Sequence, residues 1–326
     1  MEFRLNEDQI ALRDGIRAFC EGRVPDEQFA ALEDLGGFDR ELWGELAEMG
    51  VFALRLPEAD GGVELGMADA VIVFSELGRR LVPGPLAWSH LAAGRIDGAA
   101  TGEVVVGGID REDTGPIMVE HLDFLDALIV LYADRVERVD PERVKGQAIA
   151  KPLDPLTPTH HVSELPAGEV IGDGELAARM RLEGATLVSG FLLGIAEASQ
   201  ELATEYAKGR EQFGRAIGGF QAIKHLLADC FVRQEVARAA AYAAGATVDH
   251  PDAGDLIATV SGAKLNCAES AMKNCRTCIQ VHGGMGYTWE VVAHYYLKRT
   301  WVLENTFGTS DAHAEIVAER LDAQLG

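Results

Sequence analysis

The spacing of apolar residues along the chain changes character twice. Over the first 95 or so positions they recur at every third or fourth residue, the period of an amphipathic helix. Asn6 stands where a cap is wanted, ahead of a stripe made by Ile10, Leu12, Ile16 and Phe19, with Glu7 and Asp8 placed to favour the first turn. A second helix is predicted from Asp39, with Leu42, Trp43, Leu46 and Met49 on one face. Pro57 and the Gly61-Gly62 pair interrupt the pattern, "MADAVIVFSELGRRL" resumes it, and Pro83-Gly84-Pro85 ends it. From about Gly98 to Gly174 the runs shorten: "EVVVGGI", "PIMVEH", "DALIVLYA" and "KGQAIAKPL" are separated by Gly, Asp and Pro and read as strands. From Glu175 onward three long helical patterns follow one another, beginning at "EGATLVSGFLLG", "FQAIKHLLAD" and "DLIATVSGAK", which together predict a helical bundle.

The expected fold class is therefore mostly α with a small β insert. The expected division is a helical N-domain over 1–97, a short β-domain over 98–174 and a C-terminal bundle over 175–326. At 326 residues the chain has room for one to three domains and a sizeable core.

Charge narrows the functions available. Asp and Glu number 52 against 29 Lys and Arg, a formal charge of −23, which opposes nucleic acid and anionic membranes while leaving room for a local basic pocket. No basic-plus-apolar leader and no run of about 20 apolar residues is evident, so a cytoplasmic protein is expected. The five cysteines include a Cys275-x-x-Cys278 pair. It lacks a second ligand pair and lies in a helical pattern with Ala268, Ala271, Met272 and Ile279, so buried thiols are expected rather than a metal site. No G-x-G-x-x-G, P-loop, G-x-S-x-G or H-E-x-x-H pattern is present.

Two C-terminal segments carry more specific chemistry. "GREQFGRAIGGFQAIKHLLAD" displays Arg210, Phe213 and Gln221 around a glycine-interrupted helix, and "QVHGGMGYTWE" ends a helix in a turn at Gly283, Gly284 and Gly286. Each alone is explicable as a surface helix or a helix C-cap, where glycine supplies positive φ. In this order, with "LNEDQIALRDGIRAFC" and "LWGELAEMGVFALRLPEADGG" upstream, the chain resembles the acyl-CoA dehydrogenase family.

That resemblance implies a helical N-terminal domain, a central β-domain and a four-helix C-terminal domain, assembled as a dimer or a dimer of dimers. It further implies FAD-dependent α,β-dehydrogenation of an acyl-CoA thioester: a carboxylate removes the α proton and the β hydrogen leaves as hydride to the flavin. In the family, the residues matching Arg210, Phe213, Gln221, Gln280, Gly283 and Gly284 reach across a dimer interface to the adenosine and pyrophosphate half of the neighbouring subunit's FAD. A forked guanidinium and close backbone N–H groups suit a pyrophosphate.

The other half of the family's machinery has no counterpart. The flavin-facing T-E-P-x-x-G-S-D run and W-I-T loop are missing from Gly98 to Gly174. Asp123, Asp126, His160 and His161 in that stretch receive no role, the two histidines being expected on a solvated loop. The family's usual base, a Glu before the G-T of the closing loop, aligns with Phe307, followed by Gly308 and Thr309. An alternative base position aligns with Gly184. Glu183 beside it is displaced by about 100° around the helix, and Glu304 is the other displaced candidate.

The resemblance therefore points to the shorter, non-catalytic subunit of a heteromeric α2β2 bacterial acyl-CoA dehydrogenase of the steroid-degradation type. The expected partner is a longer subunit that supplies the flavin pocket and base and holds most of the acyl-CoA. The alternatives are a self-sufficient homo-oligomer using Glu183 or Glu304, and a flavin-free scaffold that kept only the fold.

Overall fold

In the computed structural model the described residues are 4–111 and 115–325. Ten α-helices and nine strands occur among them. In chain order they are α1 (Glu7–Arg23), α2 (Phe29–Asp34), α3 (Arg40–Glu48), α4 (Met67–Arg79) and α5 (Leu86–Ala92). Then come β1 (Val106–Asp110), β2 (Ile117–Glu120), β3 (Ala127–Leu131), β4 (Arg135–Val139), β5 (Gly146–Ala148), β6 (Thr159–Val162) and β7 (Glu169–Asp173). The remainder is α6 (Gly174–Gly209), β8 (Glu211–Gln212), β9 (Arg215–Ala216), α7 (Gln221–Asp249), α8 (Leu256–His282), α9 (Ala293–Glu304) and α10 (Ser310–Leu325). The expected class, mostly helical with a small β insert, holds.

The chain divides into two compact units. The first comprises Met1–Asp26, Val71–Val82 and Ala185–Gly326 as far as they are described; the second comprises Glu27–Ala70 and Pro83–Gly184.

In the first unit, Asn6 caps α1 as its sequence predicts: its Oδ1 accepts from Gln9 N, and Gln9 Oε1 accepts from Asn6 N. The bundle is held by backbone proximity. A Cβ on Gly194 of α6 would lie 1.9 Å from the Ser75 carbonyl oxygen of α4, and one on Gly78 would lie 2.1 Å from that of Phe191. Glycine at these positions lets the two helices touch main chain to main chain. In α8, Asn274 is fully buried and spends its whole amide on neighbours. Nδ2 donates to Ala196 O of α6 and Cys230 O of α7, and Oδ1 accepts from Arg233 Nε. Cys275 and Cys278 are buried free thiols as expected, Cys275 Sγ lying 3.1 Å from Ser199 Oγ. By length and composition α6 could cross a membrane, but 94% of its apolar window is buried inside the protein, the signature of a core helix.

A chain of ion pairs crosses the same unit. Glu76, 2% exposed, accepts a forked pair of bonds from Arg17; Arg79 reaches both Glu76 and Glu197; and Glu197 also holds Arg238. The buried carboxylates of Glu76 and Glu197 thus each have a guanidinium beside them, the condition under which such groups are tolerated.

In the second unit, Asp39 caps α3 through bonds from Glu41 N and Leu42 N. Phe38, Trp43 and Phe52 of this segment form an aromatic cluster, Phe38 also stacking on Phe124. A four-stranded sheet runs β1-β3-β4-β7, with β1 parallel to β3 and the other neighbours antiparallel; a three-stranded antiparallel sheet runs β2-β6-β5. Val119, Leu128, Val130, Val139 and Val162, drawn from both sheets, share one core.

The sequence pattern located β1, β2, β3 and β5 but not β4, β6 or β7. These carry Arg, Glu, His or Asp among few apolar residues and look polar overall. His160 corrects an expectation: it lies on β6 rather than in a solvated loop and is buried, with Nε2 3.4 Å from Asp123 Oδ1, while His161, one residue on, faces solvent. The helices α2 and α5 were also unforeseen, and α6 begins at Gly174, nine residues ahead of the expected run.

The glycine contact between α4 and α6 yields a direct test. Gly194→Val must push the helices apart and is expected to destabilise the protein by roughly 2–3 kcal/mol, visible as a drop of several degrees in the thermal midpoint. An unchanged midpoint would contradict this packing.

Candidate functional site

The two C-terminal segments come together at one end of the bundle. Helix α6 stops at Gly209, and the chain turns at once into the β8–β9 hairpin, with Glu211 paired to Ala216 and Gln212 to Arg215. Phe213 and Gly214 form its two-residue turn, both at positive φ (52° and 78°), the twist that a tight hairpin requires. Glycine adopts this conformation at no steric cost, but phenylalanine does not. The ring is nevertheless 93% exposed, edge-on to Phe220, with the Arg215 guanidinium over the Phe220 ring. A strained backbone that presents an apolar ring to solvent is an outlier of the kind found at binding sites. Ile217 N donates to the Arg210 carbonyl oxygen and closes the hairpin base, while the Arg210 side chain faces solvent.

Gln221 opens α7. Its N-cap, Phe220, offers no side-chain acceptor, so the first N–H groups of this 29-residue helix have no side-chain cap. Gln280 is exposed near the end of α8. Gly283 follows at φ 62° as the C-cap, and a Cβ on either Gly283 or Gly284 would meet nothing within 4 Å. Beneath both segments lies one apolar cluster: Ile279 and Val281 of α8, Ala203 and Ala207 of α6, with Ile217, Ile223 and Leu227 packed on it. Tyr206 stacks on His282 at 4.1 Å and joins the end of α6 to the end of α8. Arg210, Phe213, Gln221, Gln280, Gly283 and Gly284 thus stand around one cluster, solvent-facing and within a single unit. A guanidinium, two amides, an uncapped helix N-terminus and open glycine backbone suit an anionic, hydrogen-bonding ligand such as the adenosine–pyrophosphate half of FAD.

Phe307 lies elsewhere. It is 5% exposed, at φ 57°, followed by Gly308 at φ 99°. Two buried groups fix this loop. Lys264 of α8, with no exposed surface, donates from Nζ to the carbonyl oxygens of Glu304 and Gly308, each at 3.0 Å. His313 of α10 donates from Nε2 to the Phe307 carbonyl oxygen at 2.9 Å. A Cβ on Gly308 would lie 2.8 Å from that same nitrogen, so the turn requires glycine. Lys264 precedes Gln280 by sixteen residues of continuous helix, which separates the Phe307 loop from the glycine turn by about 24 Å along α8.

Neither displaced carboxylate is at liberty. Glu304 Oε1 accepts from Ser310 N at the start of α10, a capping task beside the Lys264 ammonium. Glu183, 3% exposed and in the second unit, accepts from Arg55 Nη1 at 2.9 Å, Arg55 Nη2 at 3.3 Å and Arg179 Nε at 2.8 Å. Burial alone would raise its pKa, but the two guanidiniums outweigh burial and hold it below the usual carboxylate range. A base needs lone pairs to spare and a pKa raised toward neutrality; Glu183 has the reverse. Sequence reasoning singled out the residues gathered at this end of the bundle but missed Lys264 and His313, for which a lysine inside an apolar helical stripe was the available signal.

Burial takes the Lys264 pKa down to about 8, with the Glu304 carboxylate opposing the shift. Between pH 8 and the unfolded value near 10.5 the unfolded chain holds the proton that the folded chain has lost, so this group's contribution to stability rises with pH across that window. Relative to Lys264→Met, wild type is expected to gain up to about 3 kcal/mol from pH 7.5 to 10 in paired chemical unfolding curves. Parallel pH profiles would contradict the charged, buried lysine.

The acyl-CoA dehydrogenase N-terminal domain model matches residues 6–103, and the acyl-CoA dehydrogenase C-terminal domain model matches residues 172–322. Acyl-CoA dehydrogenase IpdE2 of Mycobacterium tuberculosis is 34% identical over 281 residues, covering 83% of each chain. That of Mycolicibacterium smegmatis is 31% identical over 317 residues, covering 90% of this chain and 93% of its own. Among solved structures, the ChsE4-ChsE5 complex from Mycobacterium tuberculosis superposes with a TM-score of 0.87 at 23% identity over 99% of both chains. The Tcur3481-Tcur3483 steroid ACAD does so with a TM-score of 0.83 at 21% identity over 98% of this chain and 99% of that one. The structural likenesses establish the fold; the domain matches and the IpdE2 identity establish that the chain belongs to the acyl-CoA dehydrogenase family.

Proposed function

We propose that this chain is the non-catalytic subunit of a heteromeric, FAD-dependent acyl-CoA dehydrogenase. It completes the adenosine and pyrophosphate half of an FAD site whose flavin pocket and base belong to a longer partner subunit. The observation that carries the reading is Phe307. An apolar ring occupies the family's base position in a loop pinned by Lys264 and His313, and both displaced candidates, Glu183 and Glu304, are committed to structural bonds.

FAD, when bound, takes up the β hydrogen of the acyl-CoA as hydride. The residues of this chain bind and orient. Arg210 offers forked donors to pyrophosphate oxygens, Gln221 and Gln280 offer amides, Gly283 and Gly284 let backbone approach, and Phe213 presents a ring to the adenosine. Two such chains with two partners carry two flavins in an α2β2 assembly. The ChsE4-ChsE5 structure, a complex of two differently named chains, supports a heteromeric arrangement, and the steroid ACAD likeness supports a polycyclic acyl group as substrate class. Giving up catalytic pockets in half the subunits frees room for so bulky a group. A self-sufficient homo-oligomer would need Glu183 or Glu304 as its base, and a flavin-free scaffold would have no use for a strained hairpin holding Phe213 in solvent.

Arg210→Ala in the assembled complex removes one charge-assisted contact, about 2 kcal/mol, and is expected to weaken FAD retention roughly thirtyfold. Flavin absorbance per complex after gel filtration reads this out, with the elution volume reporting assembly. An intact complex with undiminished flavin contradicts the proposal.

A further inference from the structure

Four aromatic side chains are more than half exposed among the described residues, and all belong to the first unit: Phe213, Phe231, Tyr287 and Trp289. Phe213 tips the hairpin, Tyr287 and Trp289 follow the glycine turn, and Phe231 lies on α7. Val291, two residues beyond Trp289, packs on the same apolar cluster as Ile223 and Leu227 in the first turns of α7. From that end of the bundle a row of residues runs along the helix. At 3.6 residues per turn, Gln221, His225, Ala228, Val232, Val236 and Ala239 fall within about 80° of one another, opposite the buried Cys230, Ala237 and Ala241. All six are exposed, and the two valines are more than half so. Across its 29 residues α7 exposes only one base, Lys224, and one acid, Asp229, in a chain of formal charge −23.

One exposed valine needs no explanation, but a contiguous apolar row beside exposed rings, with charge withdrawn, has the composition of an interface core. We propose that this face of α7, with Tyr287 and Trp289 at its near edge, docks the longer acyl-CoA dehydrogenase subunit. The inference rests on the proposed function and deepens it by naming the surface that joins the two chains. Continuity selects the occupant. Gln221 heads the row and also belongs to the proposed clamp, and Val232 follows it by about 17 Å along the axis. A standard interface covers about 800 Å² of each partner, a patch roughly 30 Å across, so the molecule that covers Val232 also reaches Gln221. On the proposed reading a second copy of this chain brings no flavin pocket to that point, whereas the longer subunit does. The matching surface is therefore apolar at its centre, with the pyrophosphate of its FAD at the rim beside Gln221. Trp289, with Lys298 Nζ 4.1 Å over its ring, is held in place before binding, as suits an anchor.

The test is analytical ultracentrifugation of the co-expressed complex, with Val232→Glu and Val236→Glu combined in this chain. Two unpartnered carboxylates set into an apolar contact are expected to weaken assembly at least roughly a hundredfold and release the longer subunit. Trp289→Ala is expected to weaken it roughly tenfold or more. Val170→Glu, at an equally exposed valine of β7 in the second unit, should leave assembly unchanged. The thermal midpoint of each variant chain alone should match wild type, since every substituted side chain faces solvent. Undiminished assembly of both the double variant and Trp289→Ala overturns the proposal, as does equal loss in Val170→Glu. A wild-type chain that dimerises by itself, and is split by the double variant, also overturns it, because a second copy then covers the face. The flavin count separates this inference from the reading beneath it. A complex that the double variant dissociates, but that carries four flavins in wild type, keeps the docking face and contradicts flavin sharing.

Discussion

Helix α8 is the member on which the candidate site depends, and Asn274 is the reason it can serve. A buried amide that donates to the backbones of α6 and α7 and accepts from Arg233 fixes the depth and rotation of three helices at one point. Leaving any of those bonds unmade inside the bundle would cost more than making them gains, so such a residue acts on specificity as much as stability. Around it the helix buries Ala263, Ala268, Ala271, Cys275 and Cys278, side chains small enough for neighbouring backbones to come close. The result is a rigid rod with a function assigned to each end. Near its start Lys264 fixes the Phe307 loop; at its end Gln280 and the glycine turn face solvent beside the Phe213 hairpin.

This separation lets the chemistry at one end vary without disturbing the form of the other, as the proposed division of labour requires. The Phe307 loop retains the left-handed backbone of a tight turn, and its supporting bonds come from main-chain carbonyls that do not depend on which side chain occupies position 307. On the proposed reading, a ring in place of the family's carboxylate removes proton abstraction and leaves the turn intact. At the other end the strain runs in the opposite sense: Phe213 sits in a conformation glycine would adopt more easily, and its ring gains no burial within the chain. The proposed ligand contact would compensate that strain, and the uncapped start of α7 and the open glycines beside it suit an anionic group.

Much of the fold was legible because the long helices are periodic over many turns and announce their ends. The caps at Asn6 and Asp39 and the limits of α7 and α8 are where the residues say they should be. The strands β4, β6 and β7 were not legible, since a five-residue strand such as Arg135–Val139 interleaves charged residues with two valines and even buries one of the charges, Glu137. The residues of the proposed clamp could be named from their motifs, but not the strained turn that presents Phe213. The contribution of Lys264 was hidden because a lone lysine in an apolar stripe does not reveal which carbonyls it meets.

The central claim is that this chain supplies half of a shared flavin site and no base. Native mass spectrometry of the intact heteromeric complex, under conditions that retain cofactor, weighs the flavins directly. Two flavins in an α2β2 assembly, together with a chain that carries none when purified alone, is the predicted result. Four flavins in the assembly, or stoichiometric FAD on this chain by itself, would contradict it.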